Sequence, residues 1–253
     1  FPQPCWSKRS QEEAFFLFQQ INQEKPGVNN YFQPFKNYLK QTESWDTLLV
    51  YTRDYAKARN QDFQSQLEFL DIYIWMDAEP KWQETAFKLT KNRTTNDNSM
   101  KRIIQRLVNN GKYDFAYERL KEYRNETGSK DFYSMEMGTF FGMRMAYDKA
   151  VQEYLLFLET HPQQLQIISD RIMVYPDLPD IMNAIISTLL KSPLQTAQFI
   201  LADLHFKQKA YNEGYEILKS NGAPLVMLLN YAKDLVSVNE YMKAEIVLTD
   251  IIN

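Results

Sequence analysis

Residues 131–162 read DFYSMEMGTFFGMRMAYDKAVQEYLLFLETHP, and their spacing decides the fold. Tyr147, Ala150, Val151, Tyr154, Leu155 and Leu158 recur at steps of three and four residues. That spacing lays one apolar stripe along a helix. Upstream, Met135, Gly138, Phe141 and Gly142 mark a second helix, and the link between the two falls near residues 144–146. Glycine lowers helix stability, so Gly138 and Gly142 on one face imply that a neighbouring helix comes close. The stretch predicts a helical hairpin.

The pattern returns along the chain. Residues 97–130 carry Ile103, Leu107, Gly111, Tyr113, Ala116, Leu120 and Tyr123. Residues 195–222 carry Leu201, Ala202, Tyr211, Gly214 and Leu218, and residues 224–252 carry Tyr231, Ala232, Leu235, Tyr241, Ala244 and Leu248. Tyr113 precedes Tyr147 by one period of 34 residues, and Tyr211 follows Tyr147 by about two.

Counted from Asp131, Gly138 takes the small-residue position and Phe141 the aromatic position after it. Tyr147, Ala150, Tyr154 and Phe157 take the second-helix positions, and Pro162 closes the unit. This arrangement resembles the tetratricopeptide repeat, a 34-residue helix–turn–helix unit. Met137 replaces the usual leucine, and Ser134 stands where tryptophan is preferred. The resemblance covers residues 97–253 and, more weakly, 44–78. It implies an all-α fold, a right-handed α-solenoid of about six tetratricopeptide-like hairpins. Residues 1–92 are expected to form an N-terminal helical region with degenerate repeats. Residues 97–253 are expected to form the solenoid proper, with an irregular repeat at 162–193, the whole being one continuous superhelix.

The N-terminal part is read helix by helix. Ser10 with Glu13 forms a capping box for a helix over 10–24 whose stripe is Ala14, Leu17, Phe18 and Ile21. A second helix over 30–41 contains Pro34, which weakens or kinks it. Residues 44–59 and 62–76 are paired as a hairpin that lacks the small residue where Gln66 stands. Pro80 opens a further helix. The polar run 91–99 is the best internal boundary. Two shorter helices, near 163–173 and 179–190, carry the stack through the irregular repeat.

Composition excludes several classes of function. In 253 residues the net charge is −3, which argues against a dominant nucleic-acid role. The single cysteine, Cys5, excludes a disulfide framework and a multi-cysteine metal site, and reads as a free thiol. No apolar run reaches the length of a membrane span. The sequence has no phosphate-binding loop, nucleophile elbow or dinucleotide fingerprint. His161 and His205 have no second ligand at metal spacing, and His205 occupies a core position. The sequons at Asn92 and Asn125 are short enough to arise by chance. No cofactor, metal or catalytic residue is expected, and the protein is not expected to be an enzyme.

The resemblance implies an interaction scaffold whose first helices line a concave surface for a partner's peptide or helix. The inner-face positions fall on Asn98, Lys101, Gln105 and Val108 in one repeat. They fall on Phe132, Met135, Thr139 and Gly142 in the next, and on Thr196, Phe199, Asp203 and Phe206 after the irregular one. Asn98, Lys101, Gln105, Phe132, Met135, Thr139, Phe199 and Asp203 are the candidate partner-binding residues. The carboxylate-clamp members of the family use lysine, arginine and asparagine across three repeats. Here only Asn98, Lys101 and Gln105 approach that chemistry. Lys101, Arg102 and Arg106 form a small basic cluster that reads as a solvated helix face or as a carboxylate-binding spot. The expected ligand is a peptide with an apolar anchor near Met135 and Phe199 and an acidic group near Lys101. The alternative is a cell-surface or periplasmic glycan-binding protein on tetratricopeptide-like helices, which the 14% aromatic content would suit. A start without methionine favours an exported bacterial protein over a cytoplasmic one. No polar capping helix follows the last hairpin, and self-association through that end is an expectation of this reading.

Overall fold

The computed structural model describes residues 8–91 and 96–252, with side chains from residue 13. Cys5 and Asn92 lie outside the described residues, as does part of the polar run 91–99. The fold is all-α: the described residues form α-helices and one 3₁₀ turn, with no strand. They fall into two compact units, residues 1–127 and 128–253. Each unit is a stack of helical hairpins of the α-solenoid class.

Unit 1 contains α1 (Lys8–Glu24), α2 (Asn29–Gln41), α3 (Trp45–Ala58), α4 (Phe63–Trp75), α5 (Glu79–Lys91), α6 (Asp97–Asn109) and α7 (Tyr113–Thr127). Three-residue turns join α2 to α3, α4 to α5 and α6 to α7. The first helices α2, α4 and α6 begin at residues 29, 63 and 97, one 34-residue period apart. The hairpin phase therefore differs by one helix from the expected pairing of 44–59 with 62–76.

Each of these turns closes in the same way. Glu43, Asp77 and Gly111 adopt left-handed backbone, at φ 52°, 50° and 76°. The following N–H reaches back five residues, from Ser44 to Leu39 O, Ala78 to Tyr73 O and Lys112 to Leu107 O. This 6→1 closure satisfies carbonyls that a helix end leaves open. A non-glycine residue in left-handed backbone costs about 1 kcal/mol. The helix packing offsets that cost, which is how a chain with seven glycines makes so many tight turns.

Two expectations for α1 are corrected. Helix α1 starts at Lys8, so Ser10 lies inside it and is not its cap. Leu17 is exposed, while Phe15 and Phe18 pack on the core of Phe35, Leu39, Leu48 and Ile72. Helix α2 contains Pro34 within its span.

The first helices of unit 1 are also tied by charge. Lys36 on α2 is buried and pairs with Glu68 and, at 3.2 Å, with Asp71, both buried on α4. Asp71 in turn binds Arg106 on α6 and accepts from Asn110 Nδ2 at 3.1 Å.

Unit 2 contains α8 (Ser134–Met143), α9 (Tyr147–Thr160), α10 (Leu165–Met173), α11 (Pro179–Leu190), α12 (Gln195–Lys207), α13 (Tyr211–Ser220), α14 (Leu225–Ser237) and α15 (Tyr241–Ile252). The α8–α9 hairpin and its turn at 144–146 lie where the sequence puts them. The same left-handed closure ends α8, α12 and α14, at Met145, Lys209 and Asn239. A 3₁₀ turn at Pro162–Gln164 leads into α10, and a link with Pro176 separates α10 from α11. Tyr175 in that link packs on Tyr147 with ring centres 4.5 Å apart.

Candidate functional site

A cleft of about 540 Å³ in unit 2 is bordered by α10, α12 and α14. Helix α10 packs on α12, and α12 and α14 are the first helices of the α12–α13 and α14–α15 hairpins. The walls are apolar and aromatic, built from Phe199, Phe206, Tyr231, Met173 and Met227. Phe206 meets Tyr231 edge to face at 5.2 Å and 81°, a favoured aromatic geometry. The Tyr231 hydroxyl donates to Tyr211 O at 2.7 Å, which leaves the ring edge fixed against the wall. Gly214 makes room for it: a β-carbon there would stand 2.5 Å from the Tyr231 oxygen and 3.0 Å from Ala202 O.

The charge in the cleft is acidic. Asp170, Asp203 and Asp234 each come from a different helix of the three. Asp203 accepts a hydrogen bond from the Ser169 hydroxyl. Burial pushes the Asp203 carboxyl above its usual range; the Ser169 hydrogen bond opposes this, and the charges of Asp234 and Asp170 add to it. Partial desolvation also raises Asp234, which sits at the exposed rim. The one cation of the lining, Lys207, spends its ammonium on the carbonyls of Met173 at 2.9 Å and Tyr175 at 3.2 Å. It caps the C-terminal end of α10, where a positive charge is favoured. No group of His, Cys, Asp and Glu among the described residues could hold a metal ion.

The candidate residues from the sequence fall in both units. Phe199 and Asp203 line the cleft on α12. Met135 and Thr139 are half-buried on α8, where the Thr139 hydroxyl donates to Met135 O at 2.9 Å and accepts from Arg171 Nη1 at 2.8 Å. Phe132 is buried just before α8. Asn98, Lys101 and Gln105 are exposed on α6 in unit 1, and Gln105 borders a separate groove there. Val108, placed on the inner face by register, is buried in the core instead.

Sequence reasoning missed Ser169, Asp170, Met173 and the α14 side of the cleft. The helices near 163–173 and 179–190 lie where the sequence puts them, as α10 and α11, but their prolines break the 34-residue register, so no inner-face positions are assigned there. The available signal was one aspartate per repeat, at 170, 203 and 234.

The helices and the cleft define an α-helical repeat protein. No family model matches the chain, and no curated protein does. Among solved structures it is similar to a monomeric mutant of IFIT1 with Gppp-AAAA and to a second monomeric mutant with m7Gppp-AAAA in the anti conformation of the cap. Each is 13% identical, with a TM-score of 0.34, over 97% of this chain and 55% of that one. The chain thus spans about half the length of those structures, and its fold assignment rests on its own helices. No helix among the described residues is long and apolar enough to cross a membrane.

Proposed function

We propose that the chain is a tetratricopeptide-like, non-catalytic interaction scaffold, and that the unit 2 cleft holds a peptide or helix of a partner protein. One observation carries the reading: three helices of unit 2 share a groove with aromatic walls and an aspartate from each. Aromatic and methionine walls suit an adaptable apolar anchor. The aspartates suit a basic side chain beside that anchor, in place of the acidic group expected near Lys101. Charge complementarity of this kind sets specificity and association rate more than affinity.

The test is fluorescence anisotropy with a labelled amphipathic peptide bearing lysine beside leucine and phenylalanine. Val226 and Asp234 are exposed on the cleft rim. Val226→Glu and Asp234→Lys should each weaken binding by about tenfold or more, with the helical circular-dichroism signal unchanged. An acidic peptide that binds as tightly, or variants that bind as the parent does, would place docking elsewhere. A glycan that binds the cleft where peptides do not would favour the glycan-binding alternative.

A further inference from the structure

Unit 1 carries a second cavity of different chemistry. A groove of about 500 Å³ lies between α2, α4 and α6, bordered by Lys40, Trp75, Arg102, Gln105, Arg106 and Asn109. We propose that this groove binds a phosphomonoester dianion carried on a peptide side chain, a site independent of peptide docking in unit 2.

Three features support this ligand class. The first is charge. Asp71 is the one carboxylate among the lining residues, and Arg106 and the buried Lys36 answer it together with Glu68. Lys40 and Arg102 have no carboxylate partner among the described residues. Both are exposed, Lys40 over the Trp75 ring at 3.8 Å and Arg102 bonded to the neutral Gln64 amide. Four cations against two carboxylates leave two positive charges at one groove. A phosphomonoester supplies about −1.5 to −2 near neutral pH, whereas a side-chain carboxylate or a phosphodiester supplies only one.

The second feature is donor supply. Arg106 keeps guanidinium N–H groups beyond those on Asp71, since arginine has five. The exposed amides of Gln105 and Asn109 form no side-chain hydrogen bond among the described residues. Three phosphoryl oxygens can therefore each find a donor.

The third feature is pre-organisation. Trp75 Nε1 donates to Asn110 Oδ1 at 2.7 Å, and Asn110 and Arg106 are both held on Asp71. The indole face is thus fixed beneath Lys40 before any ligand arrives, which lowers the ordering cost of binding. A nucleic-acid strand would need a basic stripe along several phosphates. The groove offers a single short cluster on a chain of net charge −3, which favours a peptide-borne group.

The experiment is calorimetric titration of the whole chain with a blocked Gly-Gly-phosphoserine-Gly-Gly peptide. The unphosphorylated peptide, a glutamate replacement and a short oligo-dT are the comparisons. In parallel, ¹⁵N–¹H spectra follow the Trp75 indole N–H. The phosphopeptide should bind, shift that resonance, and lose about tenfold in affinity with Lys40→Ala or Arg102→Ala. Both residues are exposed, so helicity should be retained, and the indole shift in the unmodified protein reads the site without any variant. Absence of phosphopeptide binding, or binding that leaves Trp75 and both variants unaffected, overturns the proposal. Equal affinity for the glutamate peptide overturns the dianion assignment. Tighter binding of the oligonucleotide overturns the peptide assignment.

Discussion

The ring of Tyr154 covers the α-carbon of Gly138 so closely that a β-carbon there would stand 2.5 Å from Cε1 and 2.6 Å from Cδ1. Gly138 belongs to α8 and Tyr154 to α9, and this contact sets how near the two helices of the hairpin lie. Tyr154 is itself buried, so the ring has little space to withdraw. Gly138→Ala would gain about 0.5–1 kcal/mol in helix propensity but drive a methyl group into the ring. The expected net result is destabilisation by about 1–3 kcal/mol in urea unfolding. Pairing it with Tyr154→Leu should recover part of the loss, because the two sites share one volume.

Ala150 is fully buried on α9. Ala150→Leu should overpack the interior and cost about 1–3 kcal/mol. A variant that melts with the parent would mean that this position has room, and that the small residue there is not required by packing.

The buried ion network of unit 1 gives a larger effect. Lys36, Glu68 and Asp71 have side chains only 3%, 0% and 1% exposed. Lys36→Met leaves Glu68 charged and without its lysine in the interior, an arrangement that typically costs about 3–5 kcal/mol. Glu68→Gln in the same protein removes that charge. Denaturant midpoints should show the double variant to be more stable than Lys36→Met alone; additive losses would mean that the pair is not coupled.

Lys36 also shows why part of the fold was hidden. It stands three 34-residue periods before Gly138, at the same place in the repeat. Around Gly138 the small residues and the stripe of α9 are apolar, so periodicity located both helices. At Lys36 the interior is filled by a charged side chain whose partners come from the next repeat. An apolar count cannot register a lysine as core, and the hairpin phase of residues 29–76 was lost with it. The cleft was half legible for a similar reason. Phe199 and Asp203 follow from register on a regular helix. Ser169 and Asp170 sit on α10, whose flanking prolines break the pattern without breaking the stack.

Stability and binding in the acidic cleft should respond to pH in opposite directions. Burial, with the nearby Asp234 and Asp170 charges, holds the Asp203 carboxyl above the ordinary aspartate range despite the Ser169 hydrogen bond. In the free protein the folded state therefore binds this proton more tightly than the unfolded chain. The stability linked to Asp203 is fully present below the ordinary aspartate range and is lost as pH rises through the raised folded value. Binding of a basic peptide runs the other way, because only the ionised carboxylate attracts a cation. Affinity should fall as pH drops through that raised value, earlier than an exposed aspartate would allow. Asp203→Asn keeps an acceptor for Ser169 but cannot ionise. It should stabilise the free protein at neutral pH, weaken the basic peptide there, and remove this part of the pH dependence from both curves. Thermal melts and anisotropy titrations across the acidic range measure the two trends on one sample. If stability and affinity change with pH in the same direction, Asp203 is not the group that reads the ligand's charge.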